Sequence, residues 1–226
     1  MKIKQRMSHD ERQACILAAV RNVFAQKGLE GATTRELAKA ANVSEALLYK
    51  HFPSKEDLYS AMLKECAGDF AGELQKIAVL KPSTPTLILT VHFLVSKLLL
   101  NRKPEIDVLV RLYLRSLAKD GEFARIAVKQ MAPALIAKLQ ECIKASIKAG
   151  DVVNSPIPHT LRAWFVDRLA LSVMIDLLPQ VPVIHYGVDR QELVKHIVWF
   201  VLRGVGLKEE VIHRHYNLKT LSFLNN

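Results

Sequence analysis

The sequence predicts an all-α protein with a three-helix N-terminal head and a larger helical domain behind it. Apolar residues recur at spacings of three and four along most of the chain, whereas no alternating strand pattern lasts more than a few residues. No Asn-Gly dipeptide is present to mark a β-hairpin. The helical pattern breaks at prolines, glycines and capping residues, so the helices can be placed one after another.

Length and composition are compatible with this architecture. The chain has 226 residues, and 50% are hydrophobic, which suits a small domain joined to a larger one. Its 3 cysteines are far apart and form no CxxC pair, which is typical of reduced thiols in a cytosolic protein. The formal net charge of +10 favours an anionic partner such as nucleic acid, but the charge is spread along the chain. Composition alone therefore does not locate a binding face.

Neither a signal peptide nor a membrane span is predicted. The start, MKIKQRMSHDERQ, is polar and contains no apolar core of the kind a signal peptide needs. The most apolar run, residues 86–100, is interrupted by His92 and Lys97. It is also shorter than the roughly 20 residues of a membrane helix. We expect a soluble cytoplasmic protein without membrane contact.

The predicted head begins with a helix that opens at Ser8 or Asp10 and ends at Gly28, a suitable glycine for a helix C-terminus. Thr33 and Glu36 then form the pattern of a capping box at the start of TTRELAKAA. Ser44 is placed to cap SEALLYKHF, which Pro53 ends. Ser54 can cap a fourth helix. We accordingly place the head at residues 1–54 and the larger domain at 55–226.

Residues 33–52 form two short predicted helices joined by a tight turn, which is the geometry of a helix-turn-helix motif. Thr33 and Thr34 offer hydroxyls and helix-start amides to a phosphate, and Arg35 can reach a phosphate or a guanine edge. In the second helix Leu48 shares a face with Phe52, whereas Leu47 points away and is free to meet a thymine methyl group. The candidate DNA-binding residues are Thr33, Thr34, Arg35, Ser44, Glu45, Ala46, Leu47, Tyr49, Lys50, His51 and Lys55.

Each candidate also has a purely structural interpretation. The threonines can simply cap a helix, Tyr49 can be a half-buried aromatic residue, and lysines can be solvated. For Glu45 a favourable charge at the helix start is preferred to a base contact. His51 is equally compatible with a phosphate contact and with no role in binding.

The stretch TTRELAKAANVSEALLYKHFPSKEDLY resembles the N-terminal region of the TetR family of bacterial transcription regulators, over about residues 10–65. The remainder resembles the family only in being helical. The resemblance implies a homodimer, a palindromic operator in double-stranded DNA, and repression relieved when a small molecule binds the larger domain. It implies no cofactor. The residues that carry it are Phe24, Gly28, Thr33, Thr34, Leu37, Ala38, Ala41, Val43, Leu48, Tyr49, Lys50, His51, Phe52, Lys55, Leu58 and Tyr59.

The larger domain is predicted to contain helices at about 86–102, 105–119, 121–149, 159–178 and 189–206, after a link at 81–85. Residues from Leu207 onward are expected to form a polar, moderately helical tail. Apolar residues beyond those needed for a core suit a cavity for a hydrophobic effector. His92 would either hydrogen-bond a ligand in that cavity or be an ordinary histidine whose ring nitrogens have partners within the protein. The candidate ligand-binding residues are Val91, His92, Leu94, Leu109, Tyr113, Met131, Leu135, Trp164 and Phe165.

The last two long helices are apolar on more than one side, and the family resemblance implies that they form the dimer interface. Asp167 and Asp176 lie among their apolar residues and can pair with Arg168, lie at the interface rim or receive a cationic ligand. The candidate interface residues are Leu169, Val173, Leu177, Leu193, Ile197, Phe200 and Val201.

No catalytic or metal-binding pattern is recognised. His213 and His215 form a His-x-His pair without a companion set of carboxylates or cysteines, and no nucleophile elbow or phosphate loop is present. We therefore expect a ligand-responsive repressor and not an enzyme. One alternative is a helical carrier or enzyme that uses the apolar cavity. The other is a regulator that activates transcription or responds to a protein partner.

Overall fold

The computed structural model describes residues 7–100, 104–119 and 121–217, with side chains except those of 66–75, 104 and 105. Within these ranges the chain is helical, and the β-structure is one isolated bridge between Val152 and Leu207, so the predicted all-α class is confirmed. None of the described helices has the length and hydropathy needed to cross a membrane. The helices are α1 His9–Gly31, α2 Thr34–Ala40, α3 Glu45–His51, α4 Lys55–Ala78, α5 Thr84–Leu99, α6 Pro104–Leu117, α7 Glu122–Lys148, α8 His159–Asp176, α9 Arg190–Val205 and α10 Glu209–His215.

The chain divides into two compact units. The N-terminal unit comprises Met1–Phe70 and Pro104–Gln130, and the C-terminal unit comprises Ala71–Lys103 and Met131–Asn226. Helices α4 and α7 each contribute residues to both units. The predicted domain boundary after residue 54 stays a prediction.

In the N-terminal unit, α1 begins where the sequence predicts. Ser8 caps α1, because its hydroxyl accepts from the Glu11 amide at 3.2 Å while the Glu11 carboxylate accepts from the Ser8 amide at 2.7 Å. Gly28 has a φ of +72° and interrupts the helix, which resumes for one further turn to Gly31. The core of this unit is built from the buried residues Ile16, Val20, Phe24, Leu37, Leu48, Phe52, Leu58 and Met62.

In the C-terminal unit, α5 is buried on nearly every face and packs against α8 and α9. It starts earlier than predicted. Ser83 accepts from the Thr86 amide at 3.2 Å and so caps the helix, and Pro85 lies in its first turn, where a missing amide hydrogen costs nothing. Thr84 and Pro85, predicted as part of a link, are therefore helical.

Residues 207–217 do not form the polar tail that the sequence suggested, and the rest of that predicted tail, 218–226, lies outside the described residues. Helix α10 packs on α5 and α9, and Leu207, Val211 and Ile212 are buried. The backbone there pairs with the α7–α8 connection, since the Val153 amide donates to the Gly206 carbonyl at 2.8 Å. Leu207 and the adjacent pair Val211 and Ile212 thus bury one side of a segment whose composition is mainly polar.

Candidate nucleic-acid interface

The two short helices are capped as the sequence predicts. The Thr33 hydroxyl accepts from the Glu36 amide at 3.3 Å, and the Glu36 carboxylate accepts from the Thr33 amide at 3.2 Å. Ser44 accepts from the Leu47 amide at 3.1 Å. These bonds satisfy amides that would otherwise lack partners at the first turn of each helix.

The turn between α2 and α3 has the geometry of a Schellman motif. Asn42 adopts a φ of +52°, its amide donates to the Lys39 carbonyl at 3.1 Å, and the Val43 amide donates to the Ala38 carbonyl at 3.0 Å. Asparagine tolerates this left-handed conformation better than most residues. The turn fixes the direction in which α3 leaves α2.

The adjacent leucines of α3 lie in different environments. Leu48 is buried at 2% exposure against the core of the unit, whereas Leu47 is half-buried and shares the outer side of α3 with exposed neighbours. The DNA-binding candidates Thr34, Leu47, His51 and Lys55 are half-buried. The remaining candidates are exposed, and they are Thr33, Arg35, Ser44, Glu45, Ala46, Tyr49 and Lys50.

Tyr49 connects the two helices through its hydroxyl. Its Oη lies 3.0 Å from the Oγ1 of Thr34, at the N-terminus of α2, while its ring remains 45% exposed. A phosphate placed here would meet two hydroxyls and the positive end of a helix. This pairing places two of the predicted contacts side by side.

Two of the candidate DNA-binding residues, Lys55 and His51, contact other groups of the protein. The Lys55 ammonium donates to the Ala32 carbonyl at 3.3 Å, so Lys55 ties the start of α4 to the end of α1. The His51 ring stacks obliquely on His9 at 4.5 Å between centroids, and its Nδ1 is buried without a partner among the described residues. Burial first, and then the charges of His9, Arg12 and Lys50, lower the pKa of His51. The neutral imidazole is a weaker phosphate ligand than an imidazolium.

Sequence reasoning missed two residues that hold this surface in place. Lys27 of α1 forms an ion pair with Glu36, and this bond first, followed by the Thr33 amide, lowers the pKa of Glu36 to about 2. Gln13 of α1 donates to the His51 carbonyl at 3.3 Å. Both contacts join residues distant in sequence, and no local pattern signals them.

The candidate ligand-binding residues are divided between the units. Leu109 and Tyr113 belong to the N-terminal unit and the others to the C-terminal unit, where Val91, Leu94 and Leu135 are buried. Met131 and Trp164 are half-buried, and Phe165 is 56% exposed.

His92, the candidate polar ligand contact, is buried, and both of its ring nitrogens lie close to hydroxyls of the protein. Nδ1 lies 3.2 Å from the Tyr216 hydroxyl and Nε2 lies 3.3 Å from the Ser96 hydroxyl. Burial lowers the pKa of His92 and raises that of Tyr216. In the structure His92 is thus a satisfied core histidine, one of the two interpretations that the sequence allowed.

The candidate dimer residues differ in accessibility. Phe200 is 66% exposed, and Leu169 and Val173 are half-buried. Phe200 and Phe165 line an open groove of about 430 Å³ between α8 and α9. Leu177, Leu193, Ile197 and Val201 are buried within the chain.

The two acidic residues of α8 have partners within the protein. Asp167 accepts from the Arg168 guanidinium at 2.8 Å, and Asp176 accepts from the Tyr186 hydroxyl at 3.0 Å. In the described parts of the chain no three potential metal ligands lie close enough together to hold an ion.

Comparison with known proteins relates the N-terminal region to one family of DNA-binding regulators. Residues 16–62 match the model of bacterial regulatory proteins of the tetR family. The chain is 36% identical over 63 residues to the nucleoid occlusion factor SlmA of Haemophilus influenzae, covering 28% of this chain and 29% of SlmA. It is 42% identical over 59 residues to the HTH-type transcriptional activator FasR of Mycolicibacterium smegmatis (26% and 27%). Identity to the HTH-type transcriptional repressor AcnR of Corynebacterium glutamicum is 41% over 56 residues (25% and 30%).

These matches span less than a third of each relative, whereas the similarity to solved structures extends over most of the chain. AibR, solved with isovaleryl coenzyme A and operator DNA, superposes with a TM-score of 0.66 at 17% identity, covering 84% of this chain and 97% of AibR. FadR from Bacillus subtilis, solved with stearoyl-CoA, superposes with a TM-score of 0.60 at 18% identity, covering 84% and 98%. At this identity the likeness shows a shared fold. The family resemblance seen in the sequence is confirmed.

Proposed function

We propose, from the premise that this chain carries the N-terminal domain of the TetR family of bacterial regulatory proteins, that it is a sequence-specific, DNA-binding transcriptional regulator. The observation that carries the proposal is the outer side of α3, where Ala46, Tyr49 and Lys50 are exposed around a partly exposed Leu47. A rigid turn holds α3, and the Thr34–Tyr49 hydroxyl pair lies beside it. We propose that α3 enters the major groove while the hydroxyl pair, Arg35 and Lys50 contact the phosphate backbone.

We further propose that the regulator is a homodimer. The exposed Phe165 and Phe200 on the α8–α9 groove support this, because large aromatic side chains are enriched in protein interfaces. Two α3 helices would then reach successive major grooves about 34–36 Å apart and read a palindromic operator. Leu169 and Val173, half-buried on α8, would complete the interface.

We propose repression as the mode of action, with release by a small hydrophobic molecule bound in the C-terminal unit. The predominantly apolar α5, buried in the core of that unit, supports an apolar effector. Among the relatives, AcnR is a repressor and FasR an activator, so the position of the operator relative to the promoter must decide between these modes. The proposal places the protein in the cytoplasm and assigns it no catalytic activity.

DNA binding is tested by letting the full chain select duplexes from a randomised pool. The selected sequences also supply the operator. Tyr49→Ala and Lys50→Ala should each weaken operator binding about 5- to 30-fold at fixed salt, and Lys50→Ala should flatten the salt dependence by about one phosphate contact. Lys64→Ala, an exposed lysine of α4 outside the interface, is the matched control and should bind like the wild type. Failure to select any sequence, or unchanged affinity in both test variants, would contradict the proposal.

A further inference from the structure

The N-terminal unit contains a cleft that the proposed DNA contacts do not use. It has a volume of about 310 Å³ and lies between the end of α1, the first half of α4, α6 and the start of α7. All of its lining residues belong to this one unit. Its volume is at the lower end of the range typical of small-molecule sites.

One wall of the cleft is apolar and partly aromatic. Leu63, Leu112 and Phe123 are buried beneath it, and the Tyr59 ring packs on Phe123 with 5.6 Å between centroids. Ile126 is 45% exposed at the edge. The wall offers an apolar surface on which a single aromatic or branched side chain can pack.

The rim carries charges of both signs, and most of them are already engaged. Lys27 is paired with Glu36, and Lys119 is paired with Glu30. Glu122 also has an interaction of its own within the protein. These four lining residues therefore offer a ligand little unbalanced charge.

Two opposite charges remain on the rim. Among the described residues Arg115 forms no ion pair, and its Nη1 donates to the Gln26 carbonyl at 2.9 Å. Glu56 is exposed and has no ion pair within the same described part of the chain. The cleft thus combines one uncompensated cation with one uncompensated anion beside an apolar wall.

Arg115 is held in place by the shape of α1. Gly28 has a φ of +72°, and a Cβ added there would lie only 3.0 Å from the Arg115 Nε. The absence of a side chain at Gly28 allows the guanidinium to lie close to the backbone and bond the Gln26 carbonyl. A guanidinium fixed in this way loses less conformational freedom when it binds a carboxylate.

We propose that this cleft binds a free α-amino acid with an aromatic or branched apolar side chain. The α-carboxylate pairs with Arg115 and the α-ammonium pairs with Glu56. The side chain packs on Tyr59 and Ile126, which lie over the buried Phe123. A simple carboxylic acid would leave Glu56 uncompensated, and a simple amine would leave Arg115 uncompensated. The zwitterion alone matches both charges. The proposal is independent of the function proposed for the C-terminal unit.

Calorimetric titration of the full chain tests this inference, with L-phenylalanine and L-leucine up to about 10 mM and L-tyrosine up to its solubility limit as probes, a range that covers dissociation constants up to about 1 mM. At least one of the three should bind once per chain. The probes phenylacetate and phenethylamine, which each lack one charge, should bind at least about tenfold more weakly than L-phenylalanine. No binding by any of the three amino acids would overturn the proposal.

Two charge variants show whether the bound amino acid occupies this cleft. Arg115→Gln and Glu56→Gln should each lower the affinity for the amino acid at least about tenfold, whereas Glu56→Gln should leave phenylacetate binding unchanged or strengthen it, because it removes a like charge. Arg214→Gln and Glu210→Gln, exposed positions of α10, are the matched controls and should bind like the wild type. Full affinity in both cleft variants would place the ligand elsewhere and overturn the proposal. Melting curves of all four variants verify that they are folded.

Discussion

Leu47 and Leu48 are neighbours in α3 with different roles. Leu48 contributes to the core of the N-terminal unit, so Leu48→Ala should cost about 2–5 kcal/mol of unfolding free energy. Leu47→Ala should cost less than about 1 kcal/mol, and under the proposed function it should change the base preference at one or two positions, because its side chain would meet a thymine methyl group. Urea denaturation and repeated selection of operator sequences measure the two effects. A Leu47 variant that is less stable than the Leu48 variant would show that the roles are reversed.

The burial of His51 predicts that the stability of the head depends on pH. Its folded-state pKa is lowered, chiefly by burial, so the unfolded chain binds the proton more readily than the folded chain. Its contribution to stability is therefore complete above the unfolded-state value of about 6.5 and is lost as the pH falls from there toward the folded-state pKa.

NMR titration of the histidine ring protons should thus show His51 titrating below about 6.5. His51→Gln identifies its signal, and in this variant the stability lost between neutral and mildly acidic pH should decrease. His92 is also expected to titrate low, so it must be assigned separately. A His51 pKa above the ordinary value would contradict the burial argument.

At the scale of elements, the direction of α3 depends on the turn at Asn42. Asn42→Gly should leave the unfolding free energy unchanged or raise it slightly, since glycine adopts a positive φ freely. Asn42→Val should cost about 1–2 kcal/mol, because a branched Cβ is strained in the left-handed region. Urea denaturation of the two variants gives the comparison, with Gly as the control for loss of the side-chain amide. Equal stability of the Val and Gly variants would refute the role given to the backbone conformation.

Helix starts were predictable because their signals are local. Ser8, Thr33, Ser44 and Ser54 each accept from an amide three residues ahead, and this spacing is visible in the sequence. Pro85 was misplaced because a proline ends a helix or starts one according to its neighbours. The helix-turn-helix geometry was predictable for the same reason, since α2, the turn and α3 form one short continuous segment, whereas the DNA contacts on it stay a prediction.

The contacts that hold helix ends together over long distances were not predictable. Lys138 donates to the Ala78 carbonyl at 3.0 Å and also to the Leu80 carbonyl, so a buried ammonium caps the C-terminus of α4. Arg162 is 5% exposed and donates to the carbonyls of Ile157, Val205 and Ser155. No sequence pattern distinguishes these two cations from solvated ones, because their partners are backbone groups brought near by folding.

At the scale of the whole molecule, the exposed aromatic side chains of α8 and α9 favour a protein–protein interface on this groove. Single exposed apolar residues are ordinary on protein surfaces, but Phe165 and Phe200 line the same groove. Of the seven residues that the sequence nominated for the interface, the four buried ones can only support it from beneath. The accessible part of the proposed interface is consequently smaller than the sequence pattern suggested, and we place its centre at Phe200, which is 66% exposed.

If the proposed dimer forms through this groove, Phe200→Asp should convert it to a monomer without unfolding the chain. The side chain is 66% exposed in the single chain, so the substitution removes little internal packing, whereas the interface loses an aromatic contact and has to desolvate a carboxylate. Light scattering coupled to gel filtration should show half the wild-type mass. Operator affinity should fall at least about tenfold, because each head then binds its half-site alone. Ile147→Asp, at a 46% exposed position on α7, should remain dimeric, and a dimeric Phe200→Asp variant would refute this interface.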